Sequence, residues 1–184
     1  MDFDRLSDEA LLTRSGAGCE RSFTTLYRRH QGRIYRFAYE MSGSTTIAEE
    51  ATQEVFLAVL NGDCAYDPGR GRLAPFLMGM ARNKVLQLLR GSSRYAELDE
   101  ESGPAEAADQ YGRRDTVEAV RRAVLALPEQ YREVVAMCDL EEMEYTEAAE
   151  ALGCPVGTVR SRLHRARTLL AEKLSNAGVA RSMA

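Results

Sequence analysis

The chain has no tryptophan, and it holds just two histidines, five prolines and four cysteines in 184 residues. The cysteines, Cys19, Cys64, Cys138 and Cys154, form no C-x-x-C pair, which excludes zinc-knuckle and thioredoxin spacings and leaves single packed thiols. His30 and His164 are far apart, and each sits among arginines. A histidine-dependent triad or a multi-histidine metal site would have to be built from these two distant residues. No metal, cofactor or enzyme activity is expected. No window approaches the roughly 18 uninterrupted apolar residues of a membrane span, so membrane insertion is not expected either. The first residues, Met1-Asp2-Phe3-Asp4-Arg5, lack the basic-then-apolar order of a secretion signal. A cytoplasmic location is expected.

What is present is charge, and it is segregated. The formal net charge is −4. Glu97, Asp99, Glu100, Glu101, Glu106 and Asp109 occur without one base between Tyr95 and Gln110. Asp139, Glu141, Glu142, Glu144, Glu147 and Glu150 do so again. Arg160, Arg162, Arg165 and Arg167 then follow with no acid among them. A basic surface for a polyanion, attached to acidic surfaces with another use, fits this asymmetry.

Apolar periodicity is helical almost throughout, and no segment alternates as a strand does. Ser7 reads as an N-cap followed by Asp8 and Glu9. Phe23, Leu26, Tyr27, Ile34, Phe37 and Ala38 form a stripe, broken at Ser42-Gly43-Ser44. Thr46 is the expected cap of a helix to about Leu60. Turn residues fill Asn61 to Arg72, and Pro75 opens a helix from Phe76 to Arg90, ended by Gly91-Ser92-Ser93. A second unit carries Val117, Val120, Val124 and Leu127, then Tyr131, Val134, Val135 and Cys138. The expected fold is all-α: two small helical domains over 1–92 and 114–184, joined by a flexible acidic linker over 93–113.

The most specific segment runs from Tyr145 to Arg167. Thr146 is the expected cap of a short helix with Ala149 and Leu152 inward, Gly153 permits a tight turn, and Pro155 presets the next helix. This is a helix-turn-helix layout, whose second helix enters the major groove. Val159, Leu163, Ala166 and Leu170 would be its buried stripe. Thr158, Arg160, Ser161, Arg162, His164, Arg165 and Arg167 are the candidate DNA contacts, since arginine forks suit phosphates and guanine edges alike. The helix N-terminus near Gly157-Thr158 offers amides to a phosphate. Earlier in the chain, Ala48, Ala51, Val55 and Val59 make a core stripe, and Glu50, Gln53, Glu54 and Leu57 share another face. Such a face suits docking on a basic partner helix.

Leu127-Pro128-Glu-Gln-Tyr-Arg-Glu-Val-Val135 with Gly153-Cys-Pro-Val-Gly-Thr-Val-Arg-Ser-Arg-Leu-His-Arg-Ala-Arg167 resembles region 4 of the extracytoplasmic-function (group 4) sigma factors of bacterial RNA polymerase. Phe23-Thr-Thr-Leu-Tyr27, Ala48-Glu-Glu-Ala-Thr-Gln-Glu-Val-Phe56 and Phe76-Leu-Met-Gly-Met-Ala-Arg-Asn83 resemble region 2 of the same family. The resemblance implies that the face of Glu50, Gln53, Glu54 and Leu57 docks on the β′ clamp helices of core RNA polymerase. It implies that Arg70, Arg72, Phe76, Arg82, Asn83 and Gln87, with Arg82, Asn83 and Gln87 pointing outward, recognise and melt the −10 element. The helix-turn-helix would read the −35 element, and the β flap would sit near Leu140, Met143 and Tyr145. The acidic linker would thread through the polymerase, and an anti-sigma factor would hold the protein in check. Where the family usually carries Trp-Leu and Asp, this chain carries Phe76-Leu77 and Gln87. Two other roles fit parts of the pattern: a sigma-like decoy titrating an anti-sigma factor, and a stand-alone helix-turn-helix regulator.

Overall fold

The computed structural model describes residues 2–96 and 113–176, and every regular element among them is helical. After a short 3-10 turn at Phe3–Arg5 come α1 (Asp8–Gly16), α2 (Glu20–Ser42), α3 (Thr45–Asn61) and α4 (Leu73–Ala96). The second module has α5 (Arg113–Leu125), α6 (Glu129–Val135), a π-helical turn (Ala136–Leu140), α7 (Tyr145–Leu152) and α8 (Val156–Asn176). Most of the expected linker, including Asp99, Glu100 and Glu101, lies outside the described residues.

Local chemistry sets the helix ends. Ser7 accepts from the Ala10 amide and starts α1. Gly43 closes α2 in the left-handed region at φ 68°, where a Cβ would be strained. The cap of α3 is Ser44, which accepts from Ile47, and not Thr46. The cap of α7 is Glu144, paired with Glu147 in a capping box, and not Thr146. In both cases the earlier residue is the one whose backbone is extended. The expected stop at Gly91-Ser92-Ser93 does not occur, because α4 continues to Ala96. A helical Gly or Ser costs less than about 1 kcal/mol, and Gly91 does not take positive φ.

The core is continuous from Leu11 to Ala166. In the first module α2 runs against α1, α3 and α4, burying Leu26, Ile34, Phe37, Ala38 and Met41 completely or nearly so. Leu26, Ile34, Phe37 and Met41 each stabilise by about 1.5–3 kcal/mol through the apolar surface removed from water. The N-terminus is clasped by Arg29, which donates to the Asp8 carboxylate (2.7 Å) and the Leu6 and Asp4 carbonyls. His30 reaches the other Asp8 oxygen at 2.7 Å. In the second module α6 and α7 pack on α8, burying Val134, Val135, Met137, Val159, Leu163 and Ala166. The four cysteines are free and half-buried. Burial and the neighbouring Asp139 push the Cys138 thiol up to about 11, away from thiolate chemistry.

The two modules also touch. α4 packs on α7, and α2 packs on α5 and the π-helical turn. At the α4–α7 crossing a Cβ on Gly79 would stand 2.9 Å from the Ala151 carbonyl oxygen. The absence of a side chain at Gly79 is what lets these helices meet.

Candidate nucleic-acid and polymerase interfaces

The helix-turn-helix is formed by α7, the turn Gly153-Cys154-Pro155 and α8. Gly153 ends α7 at φ 62°, a conformation open to glycine at little cost. Behind the exposed face of α8, Val159, Leu163 and Ala166 are buried and Leu170 is half-buried. Arg160, Ser161, His164, Arg165 and Arg167 are exposed, while Thr158 and Arg162 are half-buried. Their availability differs. Arg167 forks onto Asp139 (3.1 and 2.5 Å), and that bond raises its already high pKa. Ser161 donates to the Thr158 carbonyl (3.0 Å). Arg162 stands within electrostatic reach of the buried Glu133. Arg160 and Arg165 make no ion pair with the described residues. The Thr158 amide is occupied by the Pro155 carbonyl (2.8 Å), so the amides left at the helix tip are those of Val156 and Gly157.

The second candidate set lies on α4 and the loop before it. Arg70, Asn83 and Gln87 are exposed. Phe76 is half-buried against the Tyr66 ring, with centroids 5.3 Å apart. The Tyr66 hydroxyl donates to the Gly71 carbonyl (2.9 Å), which pins the loop to itself. Sequence reading passed over Tyr66, although a lone aromatic in a turn-rich loop was a visible signal. Arg82 does not point outward as expected. It turns to Glu133 of α6, with both Nε and a terminal nitrogen at 2.7 Å. Arg72 donates to Glu147 of α7 (2.6 Å). Two arginines expected on a DNA-facing surface are therefore held by carboxylates of the other module.

Glu133 is 1% exposed. Burial pushes its carboxyl up, and the Arg82 hydrogen bond offsets only part of that shift. Glu141 is also buried and receives a bidentate fork from Arg36, with two contacts of 2.8 Å. Arg33 donates to its backbone carbonyl (2.6 Å). Arg132 caps helix ends in both modules, donating to the Met41, Leu125 and Leu127 carbonyls at 2.7, 2.6 and 3.0 Å. None of these roles was read from sequence. Arg36 and Glu141 are 105 residues apart, and periodicity assigns a face without naming what meets it.

On α3, Glu50, Gln53, Glu54 and Leu57 are all exposed. Glu54 lies 3.4 Å from Lys84 on α4, and the other three face outward. Leu57 (41% exposed), Leu60 (50%) and Tyr27 (40%) extend this face with apolar surface, and the Tyr27 ring packs edge-on against Phe56 at 4.7 Å. The three residues expected near the β flap differ in burial. Leu140 is exposed and Tyr145 half-buried, but Met143 is core at 4% exposure. Glu142, just before Met143, stands at φ 52°.

Comparison with known proteins agrees with these two modules. Residues 26–95 match Sigma-70 region 2, and residues 117–170 match Sigma-70, region 4. The ECF RNA polymerase sigma factor SigM of Mycobacterium tuberculosis is 32% identical, over 94% of this chain and 88% of its own. SigE of Mycolicibacterium smegmatis, another ECF sigma factor, is 34% identical over 94% of this chain. This chain spans 66% of the SigE length. The fold is that of the sigma factor RpoE of Bartonella quintana, solved in complex with the anti-sigma factor NepR, with a TM-score of 0.69 and 24% identity over 84% of this chain and 98% of RpoE. On these matches, taken with the paired helical modules, the chain belongs to the extracytoplasmic-function sigma factors of RNA polymerase.

Proposed function

We propose that this chain binds core RNA polymerase and directs it to promoters by reading a −35 and a −10 element, acting as a binding protein without catalysis of its own. The observation that carries the reading is the free basic face of α8, where Arg160, His164 and Arg165 project from a helix anchored by Val159 and Leu163. A long helix presented in this way after a tight turn fits the major groove. Unpaired guanidinium groups on it fit phosphates and guanine edges.

The second module, residues 114–184, would take the −35 element through Thr158, Arg160, Ser161, Arg162, His164, Arg165 and Arg167. The first, residues 1–92, would dock on the β′ clamp helices through Glu50, Gln53, Glu54 and Leu57. It would open the −10 element with Arg70, Arg72, Phe76, Arg82, Asn83 and Gln87. Opening costs a few kcal/mol of unstacking, which contacts around Phe76 and the basic loop would have to offset. Residues 93–113 would be the tether between them. An exposed Leu140 leaves a small apolar contact for the β flap. An anti-sigma factor would hold the protein in check, in keeping with the complex of RpoE with the anti-sigma factor NepR. The site of action would be the cytoplasm, with the polymerase. No helix among the described residues is long and apolar enough to cross a membrane.

The test is run-off transcription with purified core polymerase on promoters selected from a random DNA library. Promoter-specific transcript is expected. A protein that binds core polymerase yet yields none, or one that binds DNA only as a free dimer, sinks the reading. DNA affinity should also fall with salt by about 0.9 log units per neutralised phosphate per decade.

A further inference from the structure

The loop before α4 has little of its own to hold it in place. From Gly62 to Arg70 every residue is exposed except Cys64 and Tyr66. Past Asp63, whose amide bonds to the Ala58 carbonyl of α3 (2.9 Å), the backbone bonds are short in range. The Gly69 amide donates to the Asp67 carboxylate (2.9 Å) and the Arg70 amide to the Asp67 carbonyl (3.0 Å). Bonds of this kind shape a turn without fixing where it sits on the protein. Tyr66 supplies the fixing points. Its ring lies 5.3 Å from that of Phe76 on α4, and its hydroxyl donates to the Gly71 carbonyl (2.9 Å). The same hydroxyl stands 3.4 Å from a carboxylate oxygen of Glu9 on α1. One side chain thus joins the loop to α4 and to α1.

Glu9 can serve as an anchor because α1 is itself fixed. Leu11 is fully buried, and Asp8, the residue before Glu9, is gripped by Arg29 and His30 of α2 at 2.7 Å each. Successive residues on a helix point about 100° apart, so Asp8 meets α2 while Glu9 meets the loop. Helix α1 also lies against α3 and α4, the two helices that the loop connects. Burial, and then the charge and hydrogen bond of Glu9, push the Tyr66 hydroxyl above its ordinary value. It therefore stays protonated near neutral pH and keeps its proton to donate.

We propose that Glu9 is a positioning residue for the −10 element: through the Tyr66 hydroxyl it holds the loop and Phe76 in the form that receives an unstacked base. The hydroxyl has one proton and two acceptors, of which the Gly71 carbonyl is nearer and Glu9 is the second. A DNA strand that draws the Gly71 carbonyl away leaves the proton to Glu9, and the Tyr66 ring stays seated beside Phe76. An extruded base is held by stacking and by contacts to its edge, and both weaken when the receiving surface moves. This role rests on the promoter-reading function proposed above. It carries the −10 site into α1, which lies ahead of the region 2 match beginning at residue 26.

The experiment compares the unmodified full chain with Glu9→Ala, Glu9→Gln, Tyr66→Phe and the double variant Glu9→Ala with Tyr66→Phe. Each is bound to core polymerase and titrated with labelled single strands carrying the −10 sequence found by selection, or that sequence with one base changed. Glu9→Ala should lower the ratio of the two affinities by about two- to ten-fold, as expected for the loss of one hydrogen bond. Glu9→Gln keeps an acceptor and should recover most of the ratio. Tyr66→Phe should lower it at least as far as Glu9→Ala does. Adding Glu9→Ala to Tyr66→Phe should change nothing more, because both act through one contact. Trypsin cleavage after Arg70 in the free chain reads the loop directly and should be several-fold faster in Glu9→Ala and Tyr66→Phe. Rescue by Glu9→Gln, at a matched melting temperature, separates positioning from general loss of fold. If Glu9→Ala does not fold, Glu9→Gln and Tyr66→Phe, alone and combined, carry the same comparison. An unchanged ratio without the Tyr66 contact, additive effects in the double variant or an unchanged cleavage rate each overturns the proposal. An unmodified protein with no sequence preference sinks the promoter-reading function instead, and the cleavage rates still show whether Glu9 holds the loop.

Discussion

Helices α4 and α8 invite comparison. Each is long, each sinks one apolar face into the core, and each carries arginines on another face. Leu77 on α4 and Leu163 on α8 are both 1% exposed. Yet Arg82 on α4 is bound to Glu133 (2.7 Å) and Arg72 just before it to Glu147 (2.6 Å), while Arg160 and Arg165 on α8 have no ion-pair partner among the described residues. The same residue type on the same kind of element is occupied at Arg72 and Arg82 and available at Arg160 and Arg165, although Arg167 on α8 is itself held by Asp139. The acids that make the difference come from α6 and α7.

The largest effects should come from below these faces, where the two helices are alike. Leu77→Ala and Leu163→Ala should each cost about 2–5 kcal/mol by loss of packing and cavity formation, read by denaturant unfolding. A loss under 1 kcal/mol at either site would show that one helix is not anchored as described. Above the faces the helices should part. Arg165→Ala should weaken binding to the −35 element by about 1–3 kcal/mol if it reads a base, with stability unchanged within about 0.5 kcal/mol. Equal loss on all sequences would make Arg165 a phosphate contact. Arg82→Ala should instead destabilise the fold by about 1–3 kcal/mol, because Glu133 is left buried without its partner.

Acid titration distinguishes the paired regions in sign. The Glu133 carboxyl is pushed up by burial, above its ordinary value near 4.3. Its contribution to stability is therefore full below that value and is lost as pH rises through the raised one. Asp8 is held below its ordinary value near 3.9, chiefly by the His30 hydrogen bond, with Arg29 adding to it. Its contribution is present above that value and disappears as pH falls through the lowered one. Glu133→Gln should remove a downward slope of stability with pH, and Asp8→Asn should remove an upward one. Slopes of the same sign in unfolding curves taken across acid pH would contradict this. The smallest effect should be Asp139→Ala, which frees Arg167. The Arg167 side chain is 55% exposed, so the cost is below about 1 kcal/mol. A gain in DNA affinity measured by fluorescence anisotropy would show that Asp139 had been masking the arginine.

Much of this was legible beforehand. The stripes Ala48-Ala51-Val55-Val59 and Val159-Leu163-Ala166 are buried as their spacing requires, and the turn at Gly153 is where a glycine before Pro155 puts it. The exposed face of Glu50, Gln53, Glu54 and Leu57 follows from the same helical period. Caps were less legible, since Ser44 against Thr46, and Glu144 against Thr146, differ by which residue the preceding chain leaves extended. Met143, expected near the β flap, is core, and the left-handed Glu142 stands just before it.

The sequence by itself determined the helices, their apolar faces and the break between modules, because these depend on residues three to seven apart. Tertiary structure alone decided which arginines are free. Charge pairing acts over a few ångströms in space whatever the separation along the chain, and no periodic pattern encodes that Arg36 finds Glu141 or that Arg82 finds Glu133.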